Sequence, residues 1–199
     1  MTPTDNNQHP ANRILMIDNY DSFTYNLVHI VKKLGYEIDV FRNDKISLEE
    51  VGKYEKIMLS PGPGIPSEAG IIQEVVRKYG STKNILGVCL GHQCIGEVFG
   101  GKLTNLDKVF HGIATPIKLI NHRDSIFEGV PDQFSVGRYH SWVVDVDHFP
   151  SDLEITAIDE SGKIMALRHK KFRVKGVQFH PESILTEYGE KIMENWLKE

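Results

Sequence analysis

The sequence is poor in cysteine, in long apolar stretches and in clustered charge, and each deficit excludes a class of protein. Two cysteines, Cys89 and Cys94, occur among 199 residues. They form no disulfide framework and lack the four-ligand spacing of a structural zinc site. The apolar runs are shorter than a membrane-spanning helix requires, and the formal net charge of -4 gives no electrostatic footprint for nucleic acid. We therefore expect reduced thiols and neither nucleic-acid nor membrane partners.

The first residues also lack the features of a signal peptide. Residues 1–12 are polar, with neither a basic start nor an apolar stretch. They predict a disordered polar tail, and with reduced thiols they predict a cytoplasmic location. Residues 13–199 predict one domain, because a chain of this length is too short for two domains of ordinary size.

Short apolar strands alternate with amphipathic helices through the first hundred residues. The predicted strands are Arg13–Asp18, Ile38–Phe41, Ile57–Leu59 and Ile85–Val88. One helix is opened by Ser22 and closed by Gly35, a second begins with a Ser47–Glu50 capping box, and a third stops near Gly80. This alternation is typical of an open, mostly parallel α/β sheet with helices on both faces.

After Gly100 and Gly101 the pattern changes to strands without long helices between them. The predicted strands are Ile113–Ile120, Phe134–Trp142, Glu154–Ile158, Ile164–Arg168 and Val174–Phe179. The segment Asp159–Gly162 predicts a hairpin turn, and Tyr188–Leu197 predicts a closing helix. The second half therefore predicts an antiparallel strand extension of the same domain.

The segment Gly87-Val88-Cys89-Leu90-Gly91 has the form of a hydrolase nucleophile elbow, with Cys in place of the better-known Ser. It falls where a buried strand meets a helix. The helix N-terminus favours the reactive thiolate form, and the Leu90 N–H is placed to hold an oxyanion. The alternative is a small buried core cysteine.

A thiol nucleophile needs a base, and His180-Pro181-Glu182 offers one at the end of a predicted strand. Pro181 favours an extended conformation for His180, which places the His180 and Glu182 side chains on one face. Glu182 could then orient the imidazole. The alternative is a pair of surface residues.

The segment Ser60-Pro61-Gly62-Pro63-Gly64-Ile65-Pro66 follows the third strand, at the edge where an open α/β sheet binds its ligands. Its prolines remove donors, so it presents the N–H groups of Gly62, Gly64 and Ile65 to an oxyanion or an amide carbonyl. A structural Pro-Gly turn is the alternative. The spacing excludes a phosphate loop, and His92 with Cys94 gives only weak evidence for a metal site. His111 and His140 are better explained as satisfied polar residues than as catalysts.

Together these motifs resemble those of the class I glutamine amidotransferases. The matching segments are Gly87-Val88-Cys89-Leu90-Gly91-His92-Gln93 and Gly176-Val177-Gln178-Phe179-His180-Pro181-Glu182-Ser183. Within that family the chain is similar to the branch formed by anthranilate synthase component II and aminodeoxychorismate synthase component II. The segments that carry this finer resemblance are Asp18–Leu27, Ser60–Gly64 and Arg138–Ser141.

The resemblance implies a flavodoxin-like fold, with residues 13–199 as a type 1 glutamine amidotransferase domain. It implies a catalytic triad of Cys89, His180 and Glu182, and an oxyanion hole that includes Gly64 and Leu90. The residues that it assigns to glutamine binding are Gly62, Pro63, Gly64, Gln93, Ser141 and Trp142, the last pair through backbone groups. Trp142 stands where Leu is more usual.

The resemblance further implies hydrolysis of L-glutamine through a glutamyl thioester, with the ammonia used by a chorismate-binding synthase subunit. That subunit would be component I of anthranilate synthase, in tryptophan biosynthesis, or component I of aminodeoxychorismate synthase. We expect no metal and no cofactor in this chain, and any Mg²⁺ requirement would belong to the synthase subunit. A non-catalytic homologue and a thiol hydrolase acting on esters or lactones are the rival hypotheses.

Overall fold

The parallel half of the predicted sheet is present in the computed structural model, which describes residues 13–121 and 124–199. The predicted tail over residues 1–12 lies outside these ranges. The first four strands are β1 (Ile14–Asp18), β2 (Ile38–Arg42), β3 (Lys56–Leu59) and β4 (Asn84–Val88). They run parallel in the order β2-β1-β3-β4. The helices that connect and follow them are α1 (Thr24–Lys33), α2 (Leu48–Val51), α3 (Ile72–Tyr79) and α4 (Leu90–Val98).

The second half extends the same sheet. Its strands are β6 (Ile113–Leu119), β7 (Gln133–Arg138), β9 (Leu153–Asp159), β10 (Ile164–His169) and β11 (Val174–Val177). β11 lies parallel to β4, and the antiparallel strands β10, β9, β6 and β7 follow outward from it. Two short strands, β5 (Leu103–Asn105) and β8 (Trp142–Val144), form a separate antiparallel pair, and helix α5 (Gly189–Lys198) closes the fold. Single 3₁₀ turns occur at Pro66–Glu68 and Ser125–Phe127.

Helices cover both faces of the sheet. Along β1, Ile14 and Met16 pack with residues of α1 and α5, whereas Leu15 and Ile17 pack with residues of α2, α3 and α4. All five residues of β1 are buried, because successive strand side chains point to opposite faces. The flavodoxin-like class with an antiparallel extension is therefore confirmed.

Three predicted details of the elements were wrong. The strand Val174–Phe179, predicted within the antiparallel half, is β11 and pairs in parallel with β4. Ser22 does not cap α1, whose N-cap is Phe23 without a side-chain bond. The turn is held instead by Asp21 Oδ1, which accepts from the Phe23 N–H at 2.7 Å. The predicted strand Phe134–Trp142 is broken, because β7 ends at Arg138 and Trp142 begins β8 in the small sheet. The break follows from the inward-facing Arg138, whose guanidinium binds Asp159.

The capping box at α2 is present, with Ser47 accepting from the Glu50 N–H and Glu50 accepting from the Ser47 N–H.

No helix of the described ranges is long and apolar enough to cross a membrane.

Candidate active site

Cys89 lies at a strained turn between β4 and α4. Its backbone has φ 51 and ψ -98, outside the helical region where the next residue begins α4, and such geometry costs on the order of 1–3 kcal/mol in a residue with a side chain. The flanking glycines are required by packing. A Cβ on Gly87 would lie 2.3 Å from the carbonyl carbon of Gly91, and one on Gly91 would lie 2.5 Å from the Leu59 carbonyl oxygen. The strand-to-helix elbow predicted from the sequence is therefore present.

The Cys89 thiol is 6% exposed and is approached by one amide. Gln178 Nε2 donates to Cys89 Sγ at 3.6 Å. Leu90 is the first residue of α4, and the first N–H groups of a helix have no partner within it. The elbow therefore places the thiol beside a helix N-terminus, where a negative charge is favoured.

His180 and Glu182 form a buried pair beside Cys89. His180 Nδ1 and Glu182 Oε1 are 2.6 Å apart, with side chains 2% and 0% exposed. Burial lowers the pKa of His180, but Cys89 and Glu182 together outweigh burial and raise that pKa to about 10. The ring nitrogen Nε2 makes no hydrogen bond among the described residues. In free enzymes, contacts between catalytic groups are often too long for a hydrogen bond, and they shorten when substrate binds.

The Pro-Gly loop is fastened by an asparagine that the sequence motifs did not single out. Asn19 Nδ2 donates to the Ser60 carbonyl at 2.8 Å, and the Asn19 N–H donates to Ser60 Oγ at 2.8 Å. Asn43 Nδ2 in turn donates to Asn19 Oδ1 at 3.0 Å. A Cβ on Gly62 would lie 2.6 Å from Asn19 Cβ, and Gly64 has a left-handed φ of +74. Asn19 directly follows β1, at the carboxyl edge where open α/β sheets bind their ligands, and this position could have identified it from the sequence as a candidate site residue.

A cavity of about 230 Å³ opens beside the thiol. It is lined by Gly62, Pro63, Gly64, Cys89, Gln93, Tyr139, His140, Ser141 and Trp142. All six residues expected to bind glutamine therefore line the same cavity as Cys89. Leu90, His180 and Glu182 do not line this cavity. His180 lines a second cavity of about 400 Å³ that shares Gly62, Pro63, Cys89 and Tyr139 with the first.

A buried network supports the wall of the first cavity. Trp142 O accepts from Gln93 Nε2 at 2.9 Å and contacts His140 Nδ1 at 3.0 Å. Arg138 Nε donates to His140 Nε2 at 3.1 Å, and Arg138 also binds Asp159 at 2.8 Å. Arg138 and Gln178 lie within the segments that carry the resemblance, but sequence reasoning gave them no role in the site, and it placed Asp159 only in a hairpin turn. No local pattern links the three residues.

His140 lines the first cavity and His111 lines the second, whereas His92 and Cys94 line neither. Burial, followed by the charge of Arg138, lowers the pKa of His140 to about 3. His140 is therefore neutral and cannot replace His180 as the titrating group. Cys94 and His92 are wholly buried, and burial raises the pKa of the Cys94 thiol and lowers that of His92 to about 4. Within the described ranges, no group of His, Cys, Asp and Glu side chains could hold a metal ion.

Comparisons with known proteins show the family to which the chain is similar. The family model described as "Glutamine amidotransferase class-I" matches residues 15–199. The chain is 46% identical over 186 residues to aminodeoxychorismate synthase component 2 of Escherichia coli, covering 92% of this chain and 98% of the relative. It is also 46% identical over 194 residues to anthranilate synthase component 2 of Pseudomonas aeruginosa, covering 94% and 95%.

Two further matches differ in length or in sequence. The chain is 47% identical over 189 residues to the bifunctional protein TrpGD of Thermotoga maritima, covering 93% of this chain but spanning only 32% of that longer protein. A solved structure described as a GMP synthase subunit from Thermoplasma acidophilum superposes with a TM-score of 0.85 at 25% identity, covering 96% of this chain and 94% of that chain.

Proposed function

The chain belongs to the class I glutamine amidotransferase family, and from that premise we propose that it is the glutamine-hydrolysing subunit of anthranilate synthase. It would release ammonia from L-glutamine for a separate subunit that converts chorismate to anthranilate in tryptophan biosynthesis. The observation that carries the proposal is that the Cys89 elbow lies next to the buried His180–Glu182 pair. The expected glutamine-binding residues line a cavity beside Cys89.

In this proposal Cys89, His180 and Glu182 act as a catalytic triad. His180 holds the proton of the Cys89 thiol, as its raised pKa favours, and the thiolate attacks the side-chain amide carbon of glutamine. The tetrahedral intermediate collapses when the C–N bond breaks and His180 donates its proton to the leaving ammonia. The glutamyl thioester that remains is attacked by water, whose proton returns to His180, and cleavage of the C–S bond releases glutamate.

The N–H groups of Leu90 and Gly64 are proposed to hold the oxyanion. Leu90 supplies the first N–H of α4. Gly64 lines the cavity and belongs to the Pro-Gly loop, which Asn19 holds through a hydrogen bond to the Ser60 carbonyl. Donors held rigidly need no reorganisation as charge develops, and removing one such donor costs about a hundredfold or more in rate.

Gln93 is proposed to bind the substrate only as an acceptor. Its Nε2 donates to Trp142 O and to Gln178 Oε1, and an amide nitrogen has two hydrogens to give. The Oε1 end is left to accept from the α-ammonium or the amide N–H of glutamine. Because Trp142 O already accepts two hydrogen bonds, Ser141 and Trp142 would contribute backbone N–H groups instead.

The assembly and location follow from the same reasoning. Two of the relatives are each called component 2 of a synthase, so we place the chorismate site, and any Mg²⁺, on a component I partner in a heteromeric complex. Buried, reduced cysteines suit the cytoplasm.

Aminodeoxychorismate synthase is the second candidate, because the relative of that name is as similar as the anthranilate synthase component. The test is to supply the chain with glutamine, chorismate and either component I, and to measure glutamate together with the aminated product. We expect anthranilate with the first partner. Formation of aminodeoxychorismate alone would identify the chain as a subunit of aminodeoxychorismate synthase. No glutamate release with either partner would favour an ester or lactone hydrolase or a non-catalytic homologue.

A further inference from the structure

We propose that Gln178 is a further catalytic residue, whose side-chain amide donates a hydrogen bond to Cys89 Sγ and so stabilises and orients the thiolate. The inference rests on the proposed function only for the identity of the substrate. Gln178 is wholly buried, and its Nε2 lies 3.6 Å from Sγ. It follows β11 directly, as Cys89 follows β4, and the two strands are neighbours with Val177 opposite Val88. The pairing of the two strands therefore places the Gln178 amide beside the Cys89 thiol.

The polarity of the amide decides whether it helps or harms a thiolate. An amide donates from nitrogen and accepts at oxygen, and the two ends have nearly the same shape. Gln178 Oε1 accepts from Gln93 Nε2 at 3.2 Å. A flipped amide would place two NH₂ groups against each other and an oxygen against the sulfur, which would repel a thiolate. The Gln93 contact therefore keeps the donating end on Cys89.

Gln93 is itself oriented by the backbone carbonyl of Trp142, which also contacts the His140 ring. Arg138 can only donate, so its Nε places the lone pair of His140 on Nε2 and the hydrogen on Nδ1. His140 Nδ1 then donates to Trp142 O, at 3.0 Å. A carbonyl can only accept, so Gln93 must also turn its nitrogen toward Trp142 O.

The His140 ring that shares the Trp142 carbonyl is held by a buried ion pair. Asp159 holds Arg138 at 2.8 Å, and both side chains are buried, at 7% and 2% exposure. The low pKa of His140 keeps the ring neutral, so its Nε2 remains an acceptor across the physiological pH range. The Trp142 carbonyl thus determines, through Gln93, that Gln178 presents an N–H to the sulfur. The ion pair holds the His140 ring beside that carbonyl.

A donor fixed in this way favours the charged form of the thiol, as hydrogen bonds to an ionised group do. Gln178 has no titratable proton, so it cannot take over the proton transfer assigned to His180. Its effect is confined to the fraction of Cys89 present as thiolate and to the direction in which the sulfur points.

The test is the pH dependence of Cys89 alkylation by iodoacetamide in the full chain, followed by mass spectrometry so that Cys94 is counted separately. In Gln178→Leu, we expect the pH of half-maximal alkylation to move upward by about one unit, because one donor to a charged group is lost. The matched control is Gln73→Leu, which removes an amide that donates to Glu97; its alkylation profile should not change.

A second variant, Gln178→Met, keeps the length of the side chain and loses the amide, and it gives the same comparison if Gln178→Leu does not fold. An unchanged profile in a folded Gln178 variant would overturn the inference. Alkylation requires no glutamine, so the two hypotheses fail separately. A shifted profile in a chain that never releases glutamate would support Gln178 and refute the proposed function, whereas normal glutamate release with an unshifted profile would do the reverse.

Discussion

At the residue scale, the proposed chemistry depends on how His180 is kept charged in a buried place. Burial by itself would strip the proton from the imidazole, but contacts with Cys89 and Glu182 outweigh it and raise the pKa of His180 to about 10. A raised pKa means that the protonated form, which must donate to leaving ammonia, is present below that value and is lost as the pH rises through it.

Glu182→Gln is expected to move the alkaline limb of kcat/KM to lower pH by about one unit or more, because an opposite charge is removed from the imidazolium. Part of the rate at neutral pH should remain, since the amide oxygen can still accept from Nδ1. The measurement is a pH profile of glutamate release by the assembled complex. Asp145→Asn is the control, because Asp145 pairs with the exposed His148 at 2.9 Å. An alkaline limb that does not move in Glu182→Gln would contradict the role given to this carboxylate.

Single residues differed in how far the sequence could reveal them. Cys89 and His180 each occur at the end of a strand within a short recognisable segment, so local pattern was sufficient. Arg138 opens the segment Arg138–Ser141 and Asp159 opens the predicted hairpin turn, but nothing in either segment indicates that these two residues, 21 positions apart, form a pair. The polarity of the Gln93 and Gln178 amides depends on the Trp142 carbonyl, which Gln93 meets only through the fold.

At the scale of elements, the elbow exists because β4 and α4 approach each other through glycine. Gly87 and Gly91 leave no room for a side chain, and their neighbours at these contacts include backbone atoms that cannot rotate away. The strain at Cys89 is therefore maintained by the packing of the two elements on either side of it.

Gly87→Ala is expected to destabilise the chain by about 3 kcal/mol or more, because the new Cβ would lie 2.3 Å from the Gly91 carbonyl carbon. Urea unfolding measures the loss. Gly162→Ala is the control: its φ is +76, but nothing lies within 4 Å of the added Cβ, so only backbone strain of about 1 kcal/mol is expected. Equal losses in the two variants would show that the elbow tolerates a side chain.

Asp159→Asn is expected to cost about 3 kcal/mol of unfolding free energy, because it leaves the buried Arg138 charge without its partner. The KM for glutamine should also rise, since Arg138 orients the His140 ring beside the cavity. The control is Glu154→Gln, which breaks the more exposed pair with Arg168 and should cost less than about 1 kcal/mol. Comparable losses in the two variants would mean that Arg138 is solvated without Asp159.

Most elements were predictable because their periodicity and end signals agree, as in the Ser47–Glu50 capping box. The predicted strand Phe134–Trp142 failed because the chain leaves the sheet after Arg138 and Trp142 begins a strand of the small sheet. The turn between β7 and β8 depends on the side chains of Arg138 and His140 binding inward, a tertiary effect that overrides strand propensity.

At the scale of the whole molecule, the antiparallel half serves the site by returning the chain to the centre of the sheet. β11 pairs in parallel with β4, so the residues after both strands emerge at the same edge. Cys89 follows one strand, and Gln178, His180 and Glu182 follow the other. An open α/β sheet binds its ligands at this carboxyl edge, and the predicted half-and-half division missed that β11 rejoins the parallel strands.

The central claim is that Cys89 supplies ammonia to a partner that performs a different reaction. The most direct measurement compares Cys89→Ala with the unaltered chain, each assembled with anthranilate synthase component I and chorismate, using glutamine or an ammonium salt as nitrogen source. We predict that glutamine-dependent anthranilate formation is abolished while ammonium-dependent formation is unchanged. Glutamine-dependent synthesis that survives in Cys89→Ala would contradict the account.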